Sequence, residues 1–256
     1  MTISVTMQSH LEYKTTENVL QNKTIIITGA GDGIGKQAAI TFASYGAELI
    51  LLGRTVAKLE STYDAIIDNG GVTPTIVPID FKGATPKHYQ DMVASIEGQY
   101  KKIDVVLFNA SILGNLCPFE EIKESEFLEV NQVNLNSQFF MTQALLPLLK
   151  KNKSASVIYT TSSVGRAGRA YWGTYSISKF ATEGMMQVLA DEYKNSAVRF
   201  NCINPGGTRT AMRAKAFPGE KPNSLKTPED IMPTYLYLAS DDSKDINGQS
   251  LDCQPQ

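Results

Sequence analysis

Tyr175 and Lys179 stand four residues apart in "YSISK". On a helix that spacing puts both side chains on one face. A phenol titrates at about 10 and is a poor acid–base group at neutral pH. A nearby ammonium favours the phenolate and brings the phenol toward the range where proton transfer is efficient. Ser162 ends an apolar run upstream, so its hydroxyl can reach the same cleft and hold a carbonyl or alcohol oxygen. Taken alone, Tyr-x-x-x-Lys also describes a surface tyrosine beside a surface lysine. Asn134, in "QVNLN", falls mid-helix, where asparagine is a poor helix former. An amide there suggests a hydrogen-bonding role, either in a kink or in holding a water that passes protons to Lys179. Asn131 and Asn136 show that the same helix also carries asparagines without such a role.

A second group of residues suits a phosphate. "TGAGDGIGKQ" follows a β-branched run and precedes a helical pattern. It fails the P-loop, because Ala30 and Gln37 occupy the required glycine and Ser/Thr positions. G-x-G-x-x-G fails as well, on Ile34 or Lys36. What fits is G-x-x-x-G-x-G on Gly29, Gly33 and Gly35. Bare backbone around Asp32 and Ile34 lets a pyrophosphate approach, and the helix N-terminus supplies N–H groups and partial positive charge. Lys36 reads as a helix-surface residue.

Other strand ends add polar groups. The second strand closes on Gly53 and Arg54. A basic residue there accommodates the 2′-phosphate of NADP, whereas an acid would favour NAD. Arg54 therefore favours NADP(H), with NAD(H) as the alternative, and Asp32 counts against the phosphate. Asp80 ends the third strand, where it could accept from the adenine amino group. Asn109 and Ala110 end the fourth and could line the adenosine side. The sixth opens into "NPGGTRT": Pro205 and Gly206 force a turn, Thr208 could run beside the pyrophosphate, and Thr210 could bond the carboxamide.

These groups need a scaffold that gathers strand ends. "KTIIITG", "AELILLG", "PTIVPID", "IDVVLFNA", "ASVIYTTSS", "VRFNCINPGG" and "GQSLDC" read as strands alternating with helical stretches. The long helices are expected over 125–150 and 173–194. That alternation predicts an α/β fold with a doubly wound parallel sheet covered on both faces. Such sheets bind ligands outside the carboxyl ends of their strands. Residues 1–20 are polar and patternless and are expected to form a flexible arm. Residues 21–256 read as one domain, with a substrate loop over about 211–227. Met212, Phe217 and Leu225 suggest an apolar lid, while Arg213, Lys215, Lys221 and Lys226 could meet an acidic group; a mobile, solvated loop fits equally.

Composition excludes several classes. The 256 residues carry 24 Lys and Arg against 26 Asp and Glu, a net charge of -2. That argues against nucleic-acid or anionic-membrane partners. Cys117, Cys202 and Cys253 are far apart and His10 and His88 stand alone, so no metal site is expected. No apolar run is long enough for a membrane span, and the start has no signal-peptide pattern; the reading is cytoplasmic.

Together these motifs resemble the short-chain dehydrogenase/reductase family: T-G-x-x-x-G-x-G at 28–35, Asn109–Ala110, Asn134, Ser162, Tyr175-x-x-x-Lys179 and P-G-x-x-x-T at 205–210. The order and spacing match from about residue 20 to 252. Longer stretches, such as "TSSVGRAGRAYWGTYSISKFATEGMMQVLADEY", resemble a subgroup of proteobacterial oxidoreductases. The resemblance implies a single-domain Rossmann fold with about seven strands. It implies hydride transfer between a nicotinamide and an alcohol/carbonyl pair. Tyr175 would be the acid/base; Lys179 would lower its pKa and hold the nicotinamide ribose. Ser162 would position the substrate oxygen, and Asn134 would complete a proton relay. It further implies a homodimer or homotetramer through helices 125–150 and 173–194. Ser111 departs from the family's usual glycine after Asn-Ala, and "LDCQPQ" departs from its usual tail. A binding-only regulator on the same fold is the alternative; it would have no need of Ser162, Tyr175 and Lys179 together.

Overall fold

The computed structural model describes residues 10–255. The β-branched runs become seven strands: β1 (Thr24–Thr28), β2 (Glu48–Gly53), β3 (Thr75–Pro78), β4 (Val105–Phe108), β5 (Ala155–Thr160), β6 (Val198–Asn204) and β7 (Ser250–Asp252). They form one sheet in the order β3-β2-β1-β4-β5-β6-β7, every pairing parallel. Helices connect them: α1 (Gly33–Ser44), α2 (Val56–Asp68), α3 (Pro86–Gln99), α4 (Glu124–Asn131), α5 (Ser137–Leu149), α6 (Gly173–Glu192), α7 (Ala211–Ala216) and α8 (Met232–Ala239).

The period-two geometry of a strand sends alternate side chains to opposite faces. Ile25 and Ile27 of β1 pack with Ala38, Phe42, Leu59, Tyr235 and Leu236, from α1, α2 and α8. Ile26 between them packs with Tyr89, Met92, Met141, Leu145 and Met186, from α3, α5 and α6. Both faces are thus buried, which explains why the central strands read as unbroken apolar runs rather than alternations. Strand order reverses at β1 and β4, and there the strand tips part to leave a crevice.

Three expectations change. The helix over 125–150 is not uniform: α4 and α5 are joined through a wide π-helical turn, Gln132–Asn136, centred on Asn134. The segment 211–227 is structured rather than a solvated loop. It forms α7 and a short turn at Pro222–Ser224, and Lys226 bridges to Thr208. The third concerns the arm expected over 1–20. Residues 1–9 lie outside the described residues, but from His10 onward the chain is tied down. His10 Nε2 lies 3.0 Å from the Asp252 carbonyl, the Tyr13 hydroxyl donates to Asp242 at 2.6 Å, and Leu20 is fully buried.

Candidate active site

The crevice is a cleft of about 460 Å³ at the carboxyl ends of the strands. It brings together Gly29, Asp32, Gly33, Ile34, Arg54, Asp80, Asn109, Ala110, Ser162, Tyr175, Lys179, Pro205, Gly206, Thr208 and Thr210. Two of the residues singled out by sequence do not line it, Gly35 and Asn134. Both sit behind its wall, and both shape it from there.

The glycine turn is a cradle that side chains would fill. Gly29 has φ +69°, and a Cβ on it would press on Ala110 Cα at 3.0 Å. A Cβ on Gly35 would run into the Gly29 carbonyl oxygen and sit 2.6 Å from Asn109 Nδ2. The turn therefore folds onto both itself and the β4 tip. Thr28 Oγ1 locks that contact by accepting from the N–H groups of Asn109 and Ala110, both at 3.0 Å. Asp32 caps α1 by accepting from Gly33 N at 2.8 Å. Gly33 and Ile34 of the first turn line the cleft, and a helix N-terminus there suits an anion. Lys36 lies on the helix surface and donates to Ser61 at 2.9 Å.

The sequence sets Asp32 against a phosphate near Arg54. In the structure its carboxylate instead takes Lys58 Nζ at 2.5 Å, and that bond holds its pKa below the usual carboxylate range. Lys58 also lines the cleft, as do Lys82 and Arg54, the last without an ion pair among the described residues. Lys58 pairs with Asp32 and Lys82 with Glu129, which also lines the cleft, at 3.0 Å; Arg54 is the cation left at this end to meet a phosphate. Sequence reasoning missed Lys58, which lies one helical turn into α2 and declares itself only by its fold contact. It missed Gly31 too: a Cβ there would press on Lys58 Cβ at 2.9 Å. Asp80 lies exposed at the cleft edge and accepts from Lys82 N at 3.1 Å.

Ser162, Tyr175 and Lys179 converge as the spacing predicts. Lys179 is 1% exposed, lies 5.4 Å from the centroid of the Tyr175 ring and donates to the Thr160 carbonyl at 2.7 Å. Burial pulls its pKa down to about 8. The Tyr175 phenol does not follow the expected direction. Burial pushes it up to about 12, and the hydroxyls of Ser111 and Ser162 facing it lower it only in part. Desolvation leads, and the two serine hydroxyls oppose it. Ser111, which stands where the family's usual glycine would, lines the cleft and places a buried hydroxyl there.

Asn134 is fully buried in its π turn and acts as a clamp. Its Oδ1 accepts from Ile112 N at 2.8 Å, and its Nδ2 donates to the Ile112 carbonyl at 2.9 Å and to Ser178 Oγ at 3.1 Å. With Thr28 on one side and Asn134 on the other, the backbone of 109–112 is pinned at both ends. Pro205 and Gly206 turn the chain after β6, and Thr208 is buried with its hydroxyl on the Pro205 carbonyl at 3.2 Å. Gln254 braces the same turn from the tail, donating to Pro205 O at 2.7 Å and Gly207 O at 3.1 Å. Thr210 caps α7 by accepting from Arg213 N at 3.2 Å.

The family model for short chain dehydrogenases matches residues 23–221, which span the glycine turn, Asn134, Ser162, Tyr175, Lys179 and the Pro205 turn. The chain belongs to the short-chain dehydrogenase family. Among its relatives, the uncharacterised oxidoreductase YciK of Escherichia coli K12 is 51% identical over 245 residues, covering 96% of this chain and 97% of its own. A short-chain dehydrogenase of Shigella flexneri 2a, solved in complex with NADP, superposes with a TM-score of 0.92 at 51% identity, covering 94% of this chain and 100% of its own. One from Escherichia coli CFT073, solved with NADPH, gives the same TM-score, identity and coverage. The fold is thus shared with these two structures over most of the chain. No helix among the described residues is long and apolar enough to cross a membrane.

Proposed function

We infer that the protein is an NADP(H)-dependent oxidoreductase that interconverts an alcohol and a carbonyl compound. One observation carries this reading: the glycine cradle and the Ser162–Tyr175–Lys179 group open onto a single cleft. The cradle fits a dinucleotide, since its walls are backbone that a Cβ would obstruct and its floor is a helix N-terminus. Gly29, Gly33, Ile34 and Gly35 would hold the pyrophosphate. Arg54, beside Lys58, would meet a 2′-phosphate. Asp80, Asn109 and Ala110 would line the adenosine side, and Pro205, Gly206, Thr208 and Thr210 the nicotinamide side. The NADP and NADPH complexes of the relatives support the choice of phosphate-bearing cofactor.

When bound, the nicotinamide supplies or accepts hydride. The chain's own residues manage the oxygen and its proton. Ser162 donates to the carbonyl oxygen and fixes it beside the Tyr175 hydroxyl. Tyr175 gives that oxygen a proton in reduction and removes it in oxidation. Lys179 supports the phenolate, would hold the nicotinamide ribose, and carries the proton onward through the region Asn134 holds in place. Apolar side chains left exposed on α4, α5 and α6, among them Leu128, Phe139, Phe180 and Val188, support a homodimer or homotetramer through these helices, measurable by light scattering. A cytoplasmic location accords with the three free cysteines.

Tyr175→Phe tests the assignment. Turnover should fall by at least about a hundredfold, with the Kd for NADPH nearly unchanged. A variant as active as the wild type would refute it. NADPH binding without turnover of any carbonyl by the wild type would favour the binding-only alternative.

A further inference from the structure

The end of the cleft around Tyr175 is walled by carbon. Leu113, Val164 and Tyr175 form one apolar cluster with Leu116, Trp172, Met212 and Ala216. The Trp172 ring meets Tyr175 edge-on at 5.9 Å and Phe217 at 5.7 Å. α7 supplies Met212 and Ala216 to this wall and also Arg213. Two cations line the cleft from this side among the described residues: Lys179, 1% exposed and donating to the Thr160 carbonyl, and Arg213; Arg54, Lys58 and Lys82 line it from the β2 and β3 tips.

The Arg213 guanidinium is paired on one edge. Its Nε and one terminal nitrogen grip both carboxylate oxygens of Glu220 at 2.6 and 2.7 Å. Its plane lies over the Phe217 ring at 3.9 Å from the centroid. Lys215, the other cation of α7, donates to the Gly114 carbonyl at 3.1 Å. A bidentate Arg–carboxylate pair is among the stronger polar contacts, and it sets a negative charge against the guanidinium that a second anion would have to face. An anionic substrate group would otherwise be stranded against apolar walls, where an unpaired charge is costly.

The geometry points to a substrate class: a neutral carbonyl compound with an apolar, ring-sized body, selected because Glu220 neutralises Arg213. This rests on the oxidoreductase reading of the same cleft. Glu220 does not itself line the cleft; it sets specificity through Arg213. Freed from Glu220, Arg213 becomes a receptor for carboxylates.

The protein provides its own probe, since Trp172 is the single tryptophan of the chain. The Tyr175→Phe protein, which binds without reacting, is titrated in its NADP+ complex with 4-methylacetophenone and with 4-carboxyacetophenone, following Trp172 fluorescence. The neutral ketone should bind at least about tenfold tighter. Glu220→Gln should narrow that ratio to less than about threefold or invert it. Arg213→Met keeps an unbranched chain over Phe217 and should retain the neutral preference. Adding Glu220→Gln to it should then change nothing, which separates charge release from a disturbed α7. Equal or tighter binding of the carboxylate with Glu220 intact overturns the proposal. So does failure of both ketones to bind a complex that holds its cofactor. Loss of cofactor binding would strike the oxidoreductase reading instead, and the ranking of the two ketones on the cofactor-free protein would still decide this one.

Discussion

The two ends of the cleft are built from different materials. The dinucleotide end is made of main chain: a turn whose Cβ positions are forbidden, a helix N-terminus, and strand tips tied together through Thr28. The end around Tyr175 is made of side chains that hold one another, Trp172 on Phe217, Phe217 under Arg213, Arg213 on Glu220. A backbone site tolerates little change and recognises a ligand that never varies. A side-chain site can be reshaped one residue at a time. The contrast separates what every member of such a family must bind from what each member chooses.

Four substitutions would break or sharpen this contrast. Gly35→Ala should have the largest effect, because the new methyl collides with the Gly29 carbonyl, a backbone atom that cannot turn aside. We expect the Kd for NADPH to rise more than about a hundredfold and Tm to drop, both read by fluorescence titration and melting. Arg54→Gln should weaken NADPH about tenfold and leave NADH within about twofold, the size of a lost charge-assisted contact; equal losses for both cofactors would return Arg54 to the surface.

Lys179→Met probes the middle of the cleft through pH. Burial holds this ammonium at about 8, against 10.5 for an ordinary lysine. Between those values the unfolded chain binds the extra proton, so the wild-type fold gains stability as pH rises. The variant lacks that gain. Its Tm relative to wild type should therefore fall as pH rises from about 8 to 10.5. Met212→Ala should be mildest: KM for a neutral ketone rises several-fold, about the worth of a few methylenes, while NADPH binding holds within about twofold. A large loss of NADPH binding there would erase the distinction between the two ends.

Much of the fold was legible because parallel strands buried on both faces are written as continuous apolar runs, as in "TIIIT" and "SVIYT". The dinucleotide end was legible for a related reason: a backbone requirement leaves glycines at fixed spacing. Tyr175 and Lys179 were legible because a helix converts a spacing of four into contact. What escaped were pairs that only the fold creates. Nothing in the sequence links Lys58 to Asp32, Gln254 to Pro205, or Glu220 to Arg213. The direction of the Tyr175 pKa escaped for another reason. Spacing reports the neighbouring charge but not how deeply the phenol is buried, and here burial is the larger influence.

The wide turn at Gln132–Asn136 has a consequence for how this chain can change. Each residue of an α-helix advances about 100° around its axis. Removing one residue here would restore uniform winding, yet it would rotate either α4 or α5 by that angle relative to its neighbours. The Asn134 clamp on Ile112 and the apolar stripe of α5 against the sheet could not then both be kept. The turn works as a phase adjuster between two requirements set by different parts of the molecule. Point substitutions at the exposed positions of α4 and α5 leave that phase intact, whereas a change in the number of residues between them does not.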